Sequence, residues 1–158
     1  ARLNPLYKPT KNKPIAYISA QSFKARAQSA ILYNDIRQMI QILREGKIVW
    51  YVADQNYRGK GAINVPFFNQ PASTNVFVHR LAQMGQADVL FYKCFRLPNG
   101  HYQVKIEKAL ETEGKDSYDL ALEYHQSIEE AVRQCPSQYW WIHKRFKPLT
   151  SQDVNVYQ

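Results

Sequence analysis

The 158-residue chain is poor in cysteine and glycine, and it has no long uninterrupted apolar run. Of its two cysteines, Cys94 falls inside a strand-like run and Cys135 at a helix end; their spacing fits neither a zinc site nor a disulfide framework, so both read as free thiols in a reducing compartment. A membrane-spanning helix needs about 20 consecutive apolar residues. The longest charge-free stretch, which begins at Gly61, is broken by Asn64, Pro66, Asn69, Gln70, Pro71, Ser73, Thr74 and Asn75, so no span forms there. With six glycines in all, neither the Gly-Lys-Ser/Thr ending of a Walker loop nor the Rossmann glycine spacing occurs. A Gly-x-Ser-x-Gly elbow, the usual mark of a serine hydrolase, is missing too. The chain opens at Ala1 with neither an initiator Met nor a signal-peptide pattern, which suggests a truncated or proteolysed polypeptide.

Acids are scarce in one part only. Residues 1–60 hold eleven Lys and Arg against Asp35, Glu45 and Asp54, whereas residues 61–158 hold ten cations and ten acids, so the whole net charge of +8 sits in the first part. Such asymmetry points to an anionic partner: nucleic acid, anionic lipid headgroups or a phosphorylated small substrate. What is plentiful is apolar surface, 45% of residues, enough for a single domain with a real core. We expect that domain to cover residues 1–148, followed by a poorly anchored polar tail, residues 149–158.

Local patterns place the elements. Pro14 suits the first turn of a helix through Ile15, Ile18 and Phe23 toward Arg26, although the β-branched content leaves a strand open. Asn34 is a good N-cap for a helix carrying Ile36, Met39, Ile40 and Leu43, and Gly46 suits its left-handed end. The continuous apolar run from Ile48 to Ala53 predicts a strand buried on both faces of a parallel sheet. Ile63 to Phe68 reads as a short strand ending in two exposed or substrate-facing aromatics, and Ser73 or Thr74 as the cap of a helix that stops at Gly85. Two strands, from Val89 to Phe95 and from Tyr102 to Ile106, join through the hairpin turn Pro98-Asn99-Gly100. A last helix, from Asp116 to about Cys135, stripes Tyr118, Leu122, His125, Ile128 and Val132 on one face, and Pro136 ends it. The class is therefore α/β, with a mixed, largely parallel central sheet flanked by helices.

Two segments carry chemistry. In open α/β sheets ligands bind beyond the carboxyl ends of strands, which puts Asp54, Gln55, Tyr57, Arg58 and Lys60 in the candidate loop, with two cations for an anion and one carboxylate for a hydroxyl. The second is Pro136-Ser137-Gln138-Tyr139-Trp140-Trp141-Ile142-His143-Lys144-Arg145-Phe146-Lys147, an apolar body with cationic heads that suits an interface where greasy and anionic chemistry meet. The plainer alternative packs its aromatics inward and solvates its cations.

The motifs Leu6-Tyr7-Lys8-Pro9, Leu43-Arg44-Glu45-Gly46, Trp50-Tyr51-Val52-Ala53-Asp54-Gln55-Asn56-Tyr57 and Val65-Pro66-Phe67-Phe68-Asn69-Gln70-Pro71-Ala72, followed by the Trp-rich segment, occur in that order. Together with the basic helix at Arg26, they closely resemble the later half of the late acyltransferases of lipid A biosynthesis, the lauroyl and myristoyl transferases of the lysophospholipid acyltransferase superfamily. The resemblance implies an enzyme at the cytoplasmic face of the inner membrane. It would take a fatty acyl group from acyl carrier protein and place it on a hydroxyacyl chain of a phosphorylated lipid A precursor, with no cofactor. It also implies that the chemistry belongs to a His-x-x-x-x-Asp/Glu pair upstream of the Tyr-Arg-Pro segment, outside this chain, so that the chain alone is inactive and needs the preceding half. Substrate-binding roles then fall on Lys8, Arg26, Asp54, Gln55, Tyr57, Arg58, Lys60, Phe67 and Phe68. Lys8 stands where the family has arginine, a point charge in place of a planar fork, and Asn69 where it has glycine.

His125 and Glu130 have the spacing of the catalytic pair but sit downstream of every motif, and positions i and i+5 of a helix lie about 140° apart. They read as a packed histidine and a solvated acid. His143 reads as a structural hydrogen-bond former, and His79 and His101 carry no partner signal. A basic nucleic-acid-binding module is the alternative from another class; it has the charge and the interspersed aromatics but no RRM, KH or zinc pattern.

Overall fold

The computed structural model describes residues 3–153 and 155–157, with the side chains of all of these except Lys24 and Arg26. The chain forms two compact units. The first is built from the chain up to Val52 together with Leu81–Ala87, the second from Ala53–Arg80 and the chain from Asp88 onward.

The first unit is a parallel sheet with helical crossovers. In chain order it runs β1 (Leu3–Tyr7), α1 (Lys13–Arg26), β2 (Ile31–Leu32), α2 (Ile36–Arg44) and β3 (Ile48–Trp50), with spatial order β2-β1-β3. The Asn12 side chain accepts from the Ile15 N–H and Pro14 fills the first turn, which decides α1 for helix. The cap of α2 is Asp35 and not Asn34: its carboxylate accepts from the Gln38 N–H at 3.0 Å, while its own N–H donates to the Leu32 carbonyl. Met39 and Ile42 are the buried residues of that helix. Gly46 sits at φ 70°, and the N–H groups of Gly46 and Lys47 return to the carbonyls of Leu43 and Ile42.

The expected strand from Ile48 to Ala53 is shorter and less protected than its composition implied. It stops at Trp50, pairs with β1 alone, and leaves Ile48 44% and Val52 48% exposed, because it is an edge strand. The sheet is pinned from inside by Asn4, which is 1% exposed. Its amide donates to the Ile48 carbonyl at 2.8 Å and its oxygen accepts from the Ser29 hydroxyl at 2.7 Å.

The second unit is antiparallel. It contains the hairpins β4 (Ala62–Phe67) with β5 (Gln70–Asn75) and β6 (Tyr92–Arg96) with β7 (Tyr102–Ile106), the helix α4 (Ser117–Gln134), and a short 3-10 turn, Pro136–Gln138. Helix α3 (Phe77–Gly85) starts in this unit and ends in the first. Ser73 and Thr74 lie inside β5, buried, and do not cap α3; the Asn75 side chain does that by accepting from the Phe77 N–H at 3.0 Å. Phe67, expected to face substrate, is 1% exposed and belongs to the core with Val65, Ala72, Leu120, Tyr124, Ile128 and Val132. Helix α4 opens on a capping box between Asp116 and Asp119. Its buried stripe takes in Leu120, Ala121 and Tyr124, whereas Tyr118 stays 39% exposed. The tail is better held than its polarity suggests: Asp153 accepts from the Asn64 amide and from the N–H groups of Leu149 and Thr150, and the Tyr157 hydroxyl accepts from the Phe146 N–H. Among the described residues, no helix is long and apolar enough to cross a membrane, and both cysteines are free.

Candidate functional site

The centre of the second unit is a buried arginine. Arg145 is 2% exposed, with Nη1 donating to the Ser73 carbonyl at 2.7 Å and Nη2 to the Thr74 hydroxyl at 2.9 Å. Nη2 also lies 2.9 Å from Nε2 of His125, and the guanidinium stacks 5.6 Å from the Phe67 ring centre. His125 is fully buried, and its Nδ1 donates to the Pro66 carbonyl at 2.8 Å, which leaves Nε2 as the acceptor for Arg145. Only the neutral imidazole satisfies both bonds. Burial pushes its pKa down to about 4, against the upward pull of the Pro66 bond, and the Arg145 charge lowers it further. Burial likewise lowers the pKa of Arg145. No ion pair to Arg145 occurs among the described residues.

This arginine holds the Trp-rich segment on the sheet, and the segment in turn holds the candidate loop. Asn56 is the hinge of that contact. Its N–H donates to Nε2 of His143 at 2.8 Å, and its side-chain amide donates to the carbonyls of Arg145 and Lys147, each at 3.2 Å. The Ser73 hydroxyl donates to the Tyr57 carbonyl, and the Tyr57 N–H returns to the Ser73 carbonyl at 3.2 Å. Beside this lattice, the Oδ1 atom of Asp54 is buried with no hydrogen-bond partner among the described residues. Its negative charge raises the pKa of Tyr139, which burial, the larger cause, pushes up to about 12, and partly offsets the lowering that burial imposes on His143. Tyr139 therefore stays a proton donor, His143 a neutral acceptor, and Asp54 the group with unused capacity.

The nine expected substrate residues divide between the units. Lys8 and Arg26 belong to the first; Lys8 is exposed with its ammonium 5.6 Å from the Tyr33 ring centre, and the side chain of Arg26 lies outside the described residues. Asp54, Gln55, Tyr57, Arg58 and Lys60 share one loop of the second, where Gln55, Arg58 and Lys60 are exposed and Tyr57 is half-buried. Phe67 is withdrawn into the core, and Phe68, half-buried, packs edge-on to it at 4.8 Å. His125 and Glu130 do not meet: Glu130 pairs with Lys93 on β6. His79 bonds the Ser117 hydroxyl through Nδ1 at 3.1 Å, and His101 is exposed. Among the described residues, no group of His, Cys, Asp and Glu could hold a metal. Reasoning from the sequence missed Asn56, Ser73, Thr74 and Arg145. The i, i+2 spacing of His143, Arg145 and Lys147 carried no signal of this, because the segment runs through turns that bury Arg145 and leave Lys147 exposed.

The family model for bacterial lipid A biosynthesis acyltransferases matches residues 4–148. The chain belongs to that family. Among curated relatives, a lipid A biosynthesis palmitoleoyltransferase of Escherichia coli is 27% identical over 154 residues, covering 96% of this chain and 50% of the relative. A lipid A biosynthesis lauroyltransferase of the same organism is 28% identical over 145 residues, covering 90% and 47%. A lipid A biosynthesis acyltransferase of Haemophilus influenzae is 27% identical over 146 residues, again covering 90% and 47%. The chain thus spans about half the length of the curated relatives it matches.

Proposed function

We propose that this chain is the substrate-binding portion of an O-acyltransferase of lipid A biosynthesis, working at the cytoplasmic face of a bacterial inner membrane. The enzyme moves a fatty acyl group from an acyl carrier protein thioester to a hydroxyacyl chain of a phosphorylated lipid A precursor. The observation that carries this reading is the family match across residues 4–148, which takes in the whole loop and its clamp. In the loop, the exposed Arg58 and Lys60 supply cations for the acceptor's phosphates. The unbonded Asp54 oxygen accepts from a hydroxyl of the acceptor, a bond that removes its desolvation cost. Phe68, and not the core-bound Phe67, is the aromatic left to touch an acyl chain.

The proton acceptor for the attack on the thioester is, in this reading, a His-x-x-x-x-Asp/Glu pair in a part of the enzyme that precedes Tyr7. Within this chain the spacing occurs only at His125 and Glu130, whose side chains are engaged with Arg145 and with Lys93. The test is acyl transfer by the full-length enzyme. Asp54→Ala should lower kcat/KM by roughly 10- to 100-fold, the worth of a hydrogen bond to a charged group, whereas Lys8→Arg should cost nothing. Unchanged transfer in Asp54→Ala removes that residue from the site. The 158-residue chain assayed alone should show no transfer or thioester hydrolysis, and activity from it would overturn the placement of the base elsewhere.

A further inference from the structure

Three adjoining large apolar side chains stand in solvent at the end of the second unit: Trp140 is 59%, Trp141 53% and Ile142 85% exposed. They are not loose. The Trp141 ring packs edge-on to Tyr139 at 4.9 Å and its Nε1 donates to the Pro136 carbonyl at 2.7 Å, while Trp140 stacks on the His143 ring at 5.8 Å. The polar side chains of the same segment are likewise spent internally. Gln138 exchanges two 2.8 Å hydrogen bonds with the backbone of Arg96, Nε2 of His143 accepts from Asn56, and Arg145 is used up on Ser73, Thr74 and His125. Hydrocarbon, Ser137 and the exposed Lys144 and Lys147 are what this segment offers outward, the Lys144 ammonium lying 5.5 Å from the Tyr157 ring centre.

Its charge has one sign. Between Glu130 and Asp153 the sequence contains no acid, against four cations, Arg133, Lys144, Arg145 and Lys147. A protein partner is normally recognised through directional polar pairs, about one hydrogen bond per 100–200 Å² of interface. A bilayer surface needs none: indole and aliphatic groups enter the headgroup region, and ammonium groups meet anionic lipids without fixed geometry.

We infer that residues 140–142, flanked by Lys144 and Lys147, form a wedge that docks this unit onto an anionic lipid bilayer. The inference rests on the reading of the chain as part of an enzyme that acts on a lipid. Held rings lose little conformational freedom on insertion, so the wedge is prepared for contact. The Gln138 clamp holds the end of β6, and Tyr102, 67% exposed, lines a shallow cleft with Gln138.

The full 158-residue chain is mixed with vesicles of phosphatidylcholine alone or with added phosphatidylglycerol, and binding is read by co-sedimentation and tryptophan emission. Wild type should bind the anionic vesicles, shift its emission to the blue, and bind neutral vesicles more weakly. Trp140→Ala with Ile142→Ala should weaken binding by about tenfold or more, and Lys144→Gln with Lys147→Gln by about tenfold or more at low salt. All four side chains are exposed, so melting temperatures should match wild type and exclude misfolding. Failure of wild type to bind anionic vesicles, equal binding by the Trp140/Ile142 variant, or retention on an acidic carrier protein in place of vesicles would each overturn the wedge. Vesicle binding by the chain with no acyl transfer by the full-length enzyme would sink the proposed function and leave the wedge standing. Transfer without vesicle binding would do the reverse.

Discussion

In the second unit, nine residues from Val65 to Val132 form one continuous buried cluster, with the hydrogen-bonded charge of Arg145 lying over its Phe67. In the first, Ile31, Met39 and Ile42 are buried, but Ile15, Tyr17, Ile18, Tyr33, Ile48 and Val52 are 44–67% exposed. The difference comes from how each sheet is covered. Helix α4 lies along β4 and buries a stripe of its own. Helix α1, by contrast, spreads its apolar residues around its circumference, and no single stripe gathers them. The second unit therefore stores its stability in packing that single substitutions can damage, and the first carries apolar surface that tolerates change.

The most damaging substitution should be Phe67→Ala, which empties the place where the rings of Phe68, His125, Tyr139 and Phe146 converge. The expected loss is about 3–5 kcal/mol in denaturant unfolding. A loss below about 1 kcal/mol would remove the idea of a concentrated core.

Next in size is a pH effect confined to the second unit. In the unfolded chain His125 protonates near its ordinary pKa of about 6.5, while the folded state holds it neutral down to about 4. The unfolded state thus binds more protons between those values. Stability is full above about pH 6.5 and falls as pH drops toward 4, by about 3 kcal/mol. His143, lowered by burial and by Arg145, adds to the slope with the same sign. His125→Gln keeps a donor for Pro66 and an acceptor for Arg145, so it should flatten most of the slope; an unaltered slope would place the titration elsewhere.

The smallest effect belongs to the first unit. Ile18→Ser, at a residue 67% exposed, should change stability by no more than about 0.5 kcal/mol. A loss above 1 kcal/mol would show that this face of α1 is covered in solution.

Where turn chemistry and period agreed, the fold could be read from the chain: Gly46 for the end of α2, Pro98-Asn99-Gly100 for the β6–β7 turn, Asp116 for the start of α4; at α1, Pro14 pointed to a helix but left a strand open, and the Asn12 cap decided it. The β4–β5 hairpin could not. Its two-residue turn is Phe68-Asn69 with φ of 48° and 59°, and Pro66 sits directly across from Pro71. Phenylalanine is uncommon in a left-handed turn, and here the Phe68 N–H is held by Glu129 at 2.7 Å, a contact that only the folded chain supplies. Asn69, flagged as a departure from glycine, does adopt the left-handed conformation. At the candidate site, the loop from Asp54 to Lys60 followed from its place after a strand. The clamp on that loop did not, since Asn56 reaches across almost ninety positions to His143, Arg145 and Lys147. Arg145, between Lys144 and Phe146, looks like one more solvated head until its burial is known.

Gly59 has a bearing on how that loop could be altered. A Cβ added there would strike the hydroxyl end of the Tyr57 ring. The phenol and the main chain two residues on share one compartment, so even alanine at 59 would displace the hydroxyl end of the ring. Position 59 thus governs where the Tyr57 ring can sit, and a side chain added there alters the loop without changing any charged group.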